Sequence, residues 1–233
     1  MNFLFYEEWY KKRVQKIINI FGQDWFAGKN ILELGACYGD IGIELTKLGA
    51  EVTFADARKE NLDIIENKFR QWNLAPKLLL INQEEKYDLG VKFDLVLHLG
   101  VLYHIENWKQ DLECALNHGD IMILETIVGS ANIPDRQTKR EKVSAAVQRY
   151  IGVNGKENII CQESIEAQFR KNNCKYIRFD NSELNTNISY DVNNVLIKHV
   201  YDWDYNISGK LDRMTKNNKH VDTHLRRFWL VVK

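Results

Sequence analysis

The chain has 233 residues, with 32 basic and 32 acidic side chains and so no net charge. That balance gives no global pull toward nucleic acid or anionic membrane, the length suits one α/β domain with a substantial core, and no apolar run approaches the ~18 residues of a membrane span. Cys37, Cys114, Cys161 and Cys174 are scattered without a CxxC pair, the pattern of reduced thiols, and the opening MNFLFYEEWYKKR lacks a secretory leader, so a cytoplasmic protein is expected.

In chain order, Val14, Ile17, Ile18 and Phe21 are spaced as on an amphipathic helix over residues 6–21. Residues 31–34 read as a buried strand that runs into a turn containing Gly35 and Gly39. Ile41, Leu45 and Leu48 mark a helix stopped by Gly49. A second strand, 51–55, ends at Asp56, and a helical stripe of Leu62, Ile65, Phe69 and Trp72 follows. Strands are expected at 77–81, 93–99 and 121–127, then a helix at 164–173 and strands at 175–179 and 228–232. Short apolar runs alternating with helices predict a Rossmann-like, seven-stranded, mostly parallel sheet covered on both faces. With no internal repeat and no Pro/Ser linker, one domain is expected. Residues 128–160 and 180–225 break the alternation and read as insertions after strands five and six that cover an acceptor site.

The turn ILELGACYGDIG, residues 31–42, sets the ligand class. A dinucleotide turn needs G-x-G-x-x-G, whose second glycine lets the backbone approach a pyrophosphate. Here that position is Cys37. Gly35 remains for the tight turn and Gly39 for the close pass into the helix. Asp56 stands 21 positions beyond Gly35 at the end of strand two, where an acid accepts hydrogen bonds from ribose hydroxyls. A nucleoside without a pyrophosphate points to S-adenosylmethionine, its amino-acid end over the turn and its carboxylate toward the helix start.

ILELGACYGDIG, VTFADA and FDLVLHLGVLYHI resemble the cofactor motifs of class I S-adenosylmethionine-dependent methyltransferases over about residues 30–127. Within that superfamily, FDLVLHLGVLYH, IMILETIV and RRFWLVVK are similar to the tRNA wobble-uridine carboxymethyltransferase branch. The resemblance implies cofactor contacts at Glu33, Gly35, Ala36 and Gly39, at Asp56 and Ala57, at Gln83 and Glu84 (or Asn82 on the adenine side), and at Leu99 and Tyr103. It also implies that Trp9, beside Glu8 on the leading helix, covers the cofactor. Tyr103 and Arg227 match two of the three groups with which that branch holds a carboxylated cofactor. The third, a lysine in a long N-terminal extension, is not matched, with Lys11, Lys12 or Lys16 of the leading helix as the substitutes on offer, so plain S-adenosylmethionine is the expected donor and Arg227 a candidate substrate contact.

A hydroxyl or protonated-amine acceptor needs a base, and His104 is the first candidate, with Tyr103 beside it. HVDTH, residues 220–224, spaces two histidines as metal ligands on a helix would be, but without a third ligand no metal is expected. Lys210, Arg213, Lys216, Lys219, Arg226 and Arg227 form one local basic run. The leading reading is methyl transfer to a small-molecule or sugar-like acceptor. A tRNA-modifying methyl- or carboxymethyltransferase is the alternative, and an inactive cofactor-binding subunit is the reading of another class.

Overall fold

The computed structural model describes residues 4–129, 135–139, 153, 155–179, 182–187, 189–190, 196–201, 215–216 and 219–233. Helix α1 (Leu4–Phe21) leads into β1 (Asn30–Leu34), α2 (Asp40–Lys47), β2 (Glu51–Asp56), α3 (Lys59–Arg70), β3 (Lys77–Leu80) and β4 (Leu95–Leu99). Helix α4 (Trp108–Asn117) and β5 (Ile121–Gly129) follow, then the hairpin β6 (Arg136–Lys139) and β7 (Lys156–Cys161), α5 (Gln162–Lys171) and β8 (Lys175–Phe179). The chain closes with β9 (Ser189–Tyr190), β10 (Leu196–Val200), β11 (Thr215–Lys216) and the long β12 (Lys219–Val232).

Seven strands lie side by side in the order β3, β2, β1, β4, β5, β12, β8. Only β12 runs against its neighbours, pairing antiparallel with both β5 and β8. The chain has the expected α/β fold, a mostly parallel sheet with helices on both faces. Val14, Ile17, Ile41, Leu45, Leu62, Ile65 and Phe69 from α1, α2 and α3 pack on one face, against Ile31, Phe54, Leu97 and Phe228. Trp108, Leu112, Leu116, Ile165 and Phe169 from α4 and α5 pack on the other, against Leu32, Leu34, Val96 and Trp229. Burial on both sides explains why the central strands read as continuous apolar runs.

The main departure from the sequence expectation is β12, which starts at Lys219 rather than Phe228. Its last residues, from Arg226, pair with β5, while Val221–Leu225 pair in parallel with β10. The excess length carries β10 above the carboxyl ends of the central strands. Residues 220–224 are therefore strand, not helix. At ~3.4 Å per residue, four positions separate His220 from His224 by roughly 13 Å, too far for one ion. Within the other expected insertion, β7 extends the upper end of β5, pairing Val128 with Ile160 and Gly129 with Cys161. Asn158 Nδ2 donates to the Ile105 carbonyl and draws this hairpin over the loop after β4.

On the far edge, buried Glu166 of α5 accepts from Arg178 of β8, from the Tyr176 hydroxyl at 3.2 Å, and from Trp229 Nε1 at 3.1 Å. Arg178 is half exposed and rehydrates readily, so the cost of losing Glu166 falls on the buried indole N–H. Glu166→Leu should lower unfolding stability by about 1–3 kcal/mol, measured by urea denaturation. An unchanged midpoint would show that the Trp229 donor finds another acceptor.

Candidate functional site

The carboxyl ends of β1, β2 and β4 open into a cavity of about 170 Å³, the usual position for a ligand in an open α/β sheet. Trp9, Glu33, Gly35, Ala36, Asp56, Ala57, Gln83, Glu84, Leu99, Tyr103 and His104 all line it. Two residues named from the sequence do not. Gly39 faces the fold: at φ +68°, a Cβ there would stand 2.9 Å from Ile65 of α3. Its lack of a side chain serves the packing of the α2 start on α3.

Arg227 is the second correction. Its Nε donates to Gln162 at 3.2 Å, on the face away from the cavity. Strand side chains alternate, so its neighbour Arg226 turns inward instead, with Nη2 3.4 Å from the Tyr103 hydroxyl. Both arginines are buried and drop out of the basic run read at 208–227. Lys210 and Arg213 lie outside the described residues, as do the side chains of Lys216 and Lys219. Glu8 pairs with Lys12 at 2.9 Å and leaves Trp9 as the α1 side chain at the cavity from that pair.

The turn itself is tightly built. Gly35 has φ +63°, and a Cβ would fall 2.6 Å from Val101 in the loop after β4. The glycine is needed because that loop crosses it. Cys37 adopts a left-handed φ of 51°, an uncommon conformation for a non-glycine residue. In that pose its N–H donates to Asp56 Oδ2 at 2.8 Å. An amide that a pyrophosphate would claim is thus already used. Desolvation, with Asp56 and Asp40 nearby, pushes the Cys37 thiol up to about 12, away from the reactive thiolate range. Asp56 Oδ1 accepts from Arg58 N–H at 2.8 Å and Asn61 Nδ2 at 3.1 Å. Asp56 is therefore a buried carboxylate that knits the turn to the start of α3, a role its position alone did not reveal.

Sequence reading missed the cation of the site. Arg13 of α1 is buried, lines the cavity, and lies 3.7 Å from the centre of the Trp9 ring. Its Nη1 is 3.3 Å from Glu125 Oε2, and its Nε is buried without a hydrogen-bond partner. Glu125 Oε1 accepts from Arg226 Nη1 at 2.6 Å and from the Tyr201 hydroxyl at 3.2 Å, and that hydroxyl accepts from Trp9 Nε1 at 2.6 Å. Arg226 Nε donates to His199 Nδ1 at 3.2 Å. Burial, with Arg226 alongside, holds His199 well below the usual histidine range and so neutral. Burial works against the charge of Arg226, and Glu125 outweighs it. Two guanidiniums thus share one carboxylate. Such an arginine is hard to find in sequence, because it sits one turn from Trp9 on a helix whose other basic residues are surface groups.

At the far side, His104 Nδ1 lies 3.4 Å from Glu157 Oε1 of β7. Glu84 accepts the Glu106 N–H at 2.9 Å, near the α4 start. Among the described residues no cluster of three metal-ligating side chains occurs and no helix is long and apolar enough to cross a membrane. All four cysteines are free thiols.

No family model matches the chain. It is 31% identical over 80 residues to a ubiquinone biosynthesis O-methyltransferase of Bartonella bacilliformis, covering 34% of this chain and 32% of that protein. It is 24% identical over 159 residues to the same-named protein of Brucella ovis, covering 64% and 61%. The first such relatives are thus matched over about a third to two fifths of their length. Among solved structures, the N-terminal domain of EvdMO1 in the presence of SAH and D-fucose superposes with a TM-score of 0.63 at 17% identity, over 97% of this chain and 82% of that one. Magnesium protoporphyrin IX methyltransferase from Synechocystis with bound SAM gives 0.57 at 14% identity, over 100% and 85%. The fold is that of class I S-adenosylmethionine-dependent methyltransferases. The curated relatives are named methyltransferases as well, so sequence and fold resemble the same superfamily.

Glu33 makes the site sensitive to pH. Burial pushes its carboxyl from 4.5 up to about 8, against the lowering effects of the Gly42 N–H and of Arg13. Between those values the unfolded chain releases this proton and the folded one keeps it, so the Glu33 contribution to stability is complete below pH 4.5 and is lost as pH rises to about 8. Glu33→Gln should remove that loss. Denaturation of both proteins from pH 5 to 8 should show the wild type falling relative to the variant, whereas parallel profiles would mean Glu33 titrates normally.

Proposed function

We propose that the protein is an S-adenosylmethionine-dependent methyltransferase that moves a methyl group to a small-molecule acceptor, with a hydroxyl as the favoured group. The observation that carries this reading is a single cavity presenting a ribose-height carboxylate, Asp56, beside a glycine turn whose second-position amide is engaged by that same carboxylate, and facing one surplus cation, Arg13. A nucleoside joined to an amino acid fits those three features; a dinucleotide does not.

In this reading Asp56 would hold the ribose hydroxyls, and Ala57, Gln83, Glu84 and Leu99 would line the adenine side. The methionine carboxylate goes to Arg13 rather than to the α2 start, where Asp40 is paired with Lys68 at 2.5 Å. Glu33 would hold the donor's ammonium. One added carboxylate neutralises the Arg13–Glu125–Arg226 group. The further carboxylate of a carboxylated cofactor would leave a buried negative charge without a partner, which favours the plain donor.

Methyl transfer is an in-line displacement at the sulfonium, and the protein's main contribution is alignment of donor and acceptor. Tyr103 borders the methyl end, its hydroxyl oriented by Arg226. His104, with Glu157 on its Nδ1 side, is placed to take the proton of an acceptor hydroxyl. The β6–β7 hairpin and β10 form the acceptor cover of what we read as one domain over residues 1–233. An oxygen acceptor is supported by similarity to proteins named O-methyltransferases. Nothing in the cavity favours the tRNA alternative, and the burial of Arg226 and Arg227 weakens it.

Calorimetry should detect S-adenosylmethionine binding. Asp56→Ala and Arg13→Met should each weaken it about ten- to a hundredfold, the usual worth of a hydrogen bond to a charged group. Unchanged affinity in both variants would remove the cofactor from this cavity. In an assay with labelled donor across phenols, sugars and tRNA, His104→Ala should slow transfer by roughly 10²–10⁴ while donor affinity holds. Transfer to tRNA alone would replace the small-molecule reading, and donor binding without transfer to any acceptor would favour a binding subunit.

A further inference from the structure

Beneath the cavity floor lies a buried polar chain that methyl transfer itself does not use. Gln83, in the loop after β3, lines the cavity and is buried, and its Nε2 donates to Asp111 Oδ1 at 3.0 Å. Asp111 of α4 is fully buried. Its Oδ1 also accepts the Tyr87 hydroxyl at 3.2 Å, and its Oδ2 lies 2.6 Å from Nε2 of the equally buried His98 on β4. The other ring nitrogen of His98, Nδ1, is buried with no hydrogen-bond partner.

That orphan nitrogen fixes the direction of the whole chain. A proton on Nδ1 would be a buried donor without an acceptor, so the ring proton sits on Nε2 and is given to Asp111. Asp111 then receives three donors, His98 N–H, Tyr87 O–H and Gln83 N–H, and offers none. An amide beside an acceptor-only carboxylate has one orientation: nitrogen toward Asp111, oxygen away from it. Gln83 Oε1 therefore faces the cavity as an acceptor that cannot swap places with its nitrogen.

We propose that Asp111, itself held by His98 and Tyr87, is a positioning residue that locks the Gln83 amide with its oxygen toward the ligand and so selects a purine carrying an exocyclic amine over one carrying a carbonyl. This rests on the donor site proposed above, which puts the nucleobase at Gln83. A 6-amino group donates to Oε1. A 6-oxo group sets oxygen against oxygen, and the locked amide cannot turn to relieve it. Asp111→Asn breaks the lock: with its oxygen kept on His98, the new amide nitrogen faces Gln83, which turns its own nitrogen to the ligand.

The test measures the dissociation constants of S-adenosylhomocysteine and of its 6-oxo analogue, S-inosylhomocysteine, for the full chain by calorimetry. The wild type should prefer the amino form by about ten- to a hundredfold. Asp111→Asn should reduce that ratio at least tenfold or reverse it, and Gln83→Leu, which leaves Asp111 on His98 and Tyr87, should bring it near one. The ratio is the decisive readout, because general loosening of the site weakens both ligands alike. Equal binding of the two forms by the wild type overturns the proposal, as does an unchanged ratio in Gln83→Leu or in folded Asp111→Asn. Binding of neither form by the wild type overturns the donor site as well, which separates the two failures.

Discussion

Glu125 is the interaction on which the architecture around the cavity depends. It stands on β5, fully buried, and takes Arg226 from β12, Arg13 from α1 and the Tyr201 hydroxyl from the end of β10. Through Tyr201 it also reaches Trp9. Three separate segments are thus registered on β5 through one carboxylate. Removing a partner from such a buried group costs on the order of 3–5 kcal/mol, because the remaining charges have no water to turn to. The leading helix and the extended end of β12, which only local sequence would describe as peripheral, are fixed over the sheet by this charge.

In the proposed reading the same group accounts for an anion at one end of the cavity. A neutral cluster would have needed one arginine. With two, burial of the second is sustainable only if a ligand or neighbouring acids share its field, and Glu33 and Asp40 are the acids nearby. Burial raises the Glu33 pKa and so keeps that carboxyl from neutralising Arg13 outright. Cation and acid thus stand at the same end of the cavity.

Asp56 shows a different economy of parts. One carboxylate shapes the glycine turn through the Cys37 amide and starts α3 through Arg58 and Asn61, yet it remains part of the cavity wall. An acid at this position is therefore constrained by folding as well as by any ligand. The orientation of Gln83 has the same character, since it is set from behind by Asp111 and His98 rather than by the cavity.

The order of strands and helices, the glycine turn and the acid at the end of β2 were legible in the sequence because each is a local pattern: apolar runs of strand length, helical spacing, a turn that only certain residues make. Apart from Trp9 of α1, the cavity residues named from sequence meet in one place for the same reason, since strand ends in a parallel sheet converge on one edge. What sequence could not decide was which of two adjacent arginines faces inward. Alternation guarantees that Arg226 and Arg227 point opposite ways, and only the register of β12 on β5, with Arg226 opposite Ile127, settles which. Nor could it find Arg13, Glu125 or Asp111, whose roles arise from partners 112, 101 and 28 positions away. Local pattern determined the scaffold; long-range pairing of buried charges, which only tertiary packing brings together, decided the site.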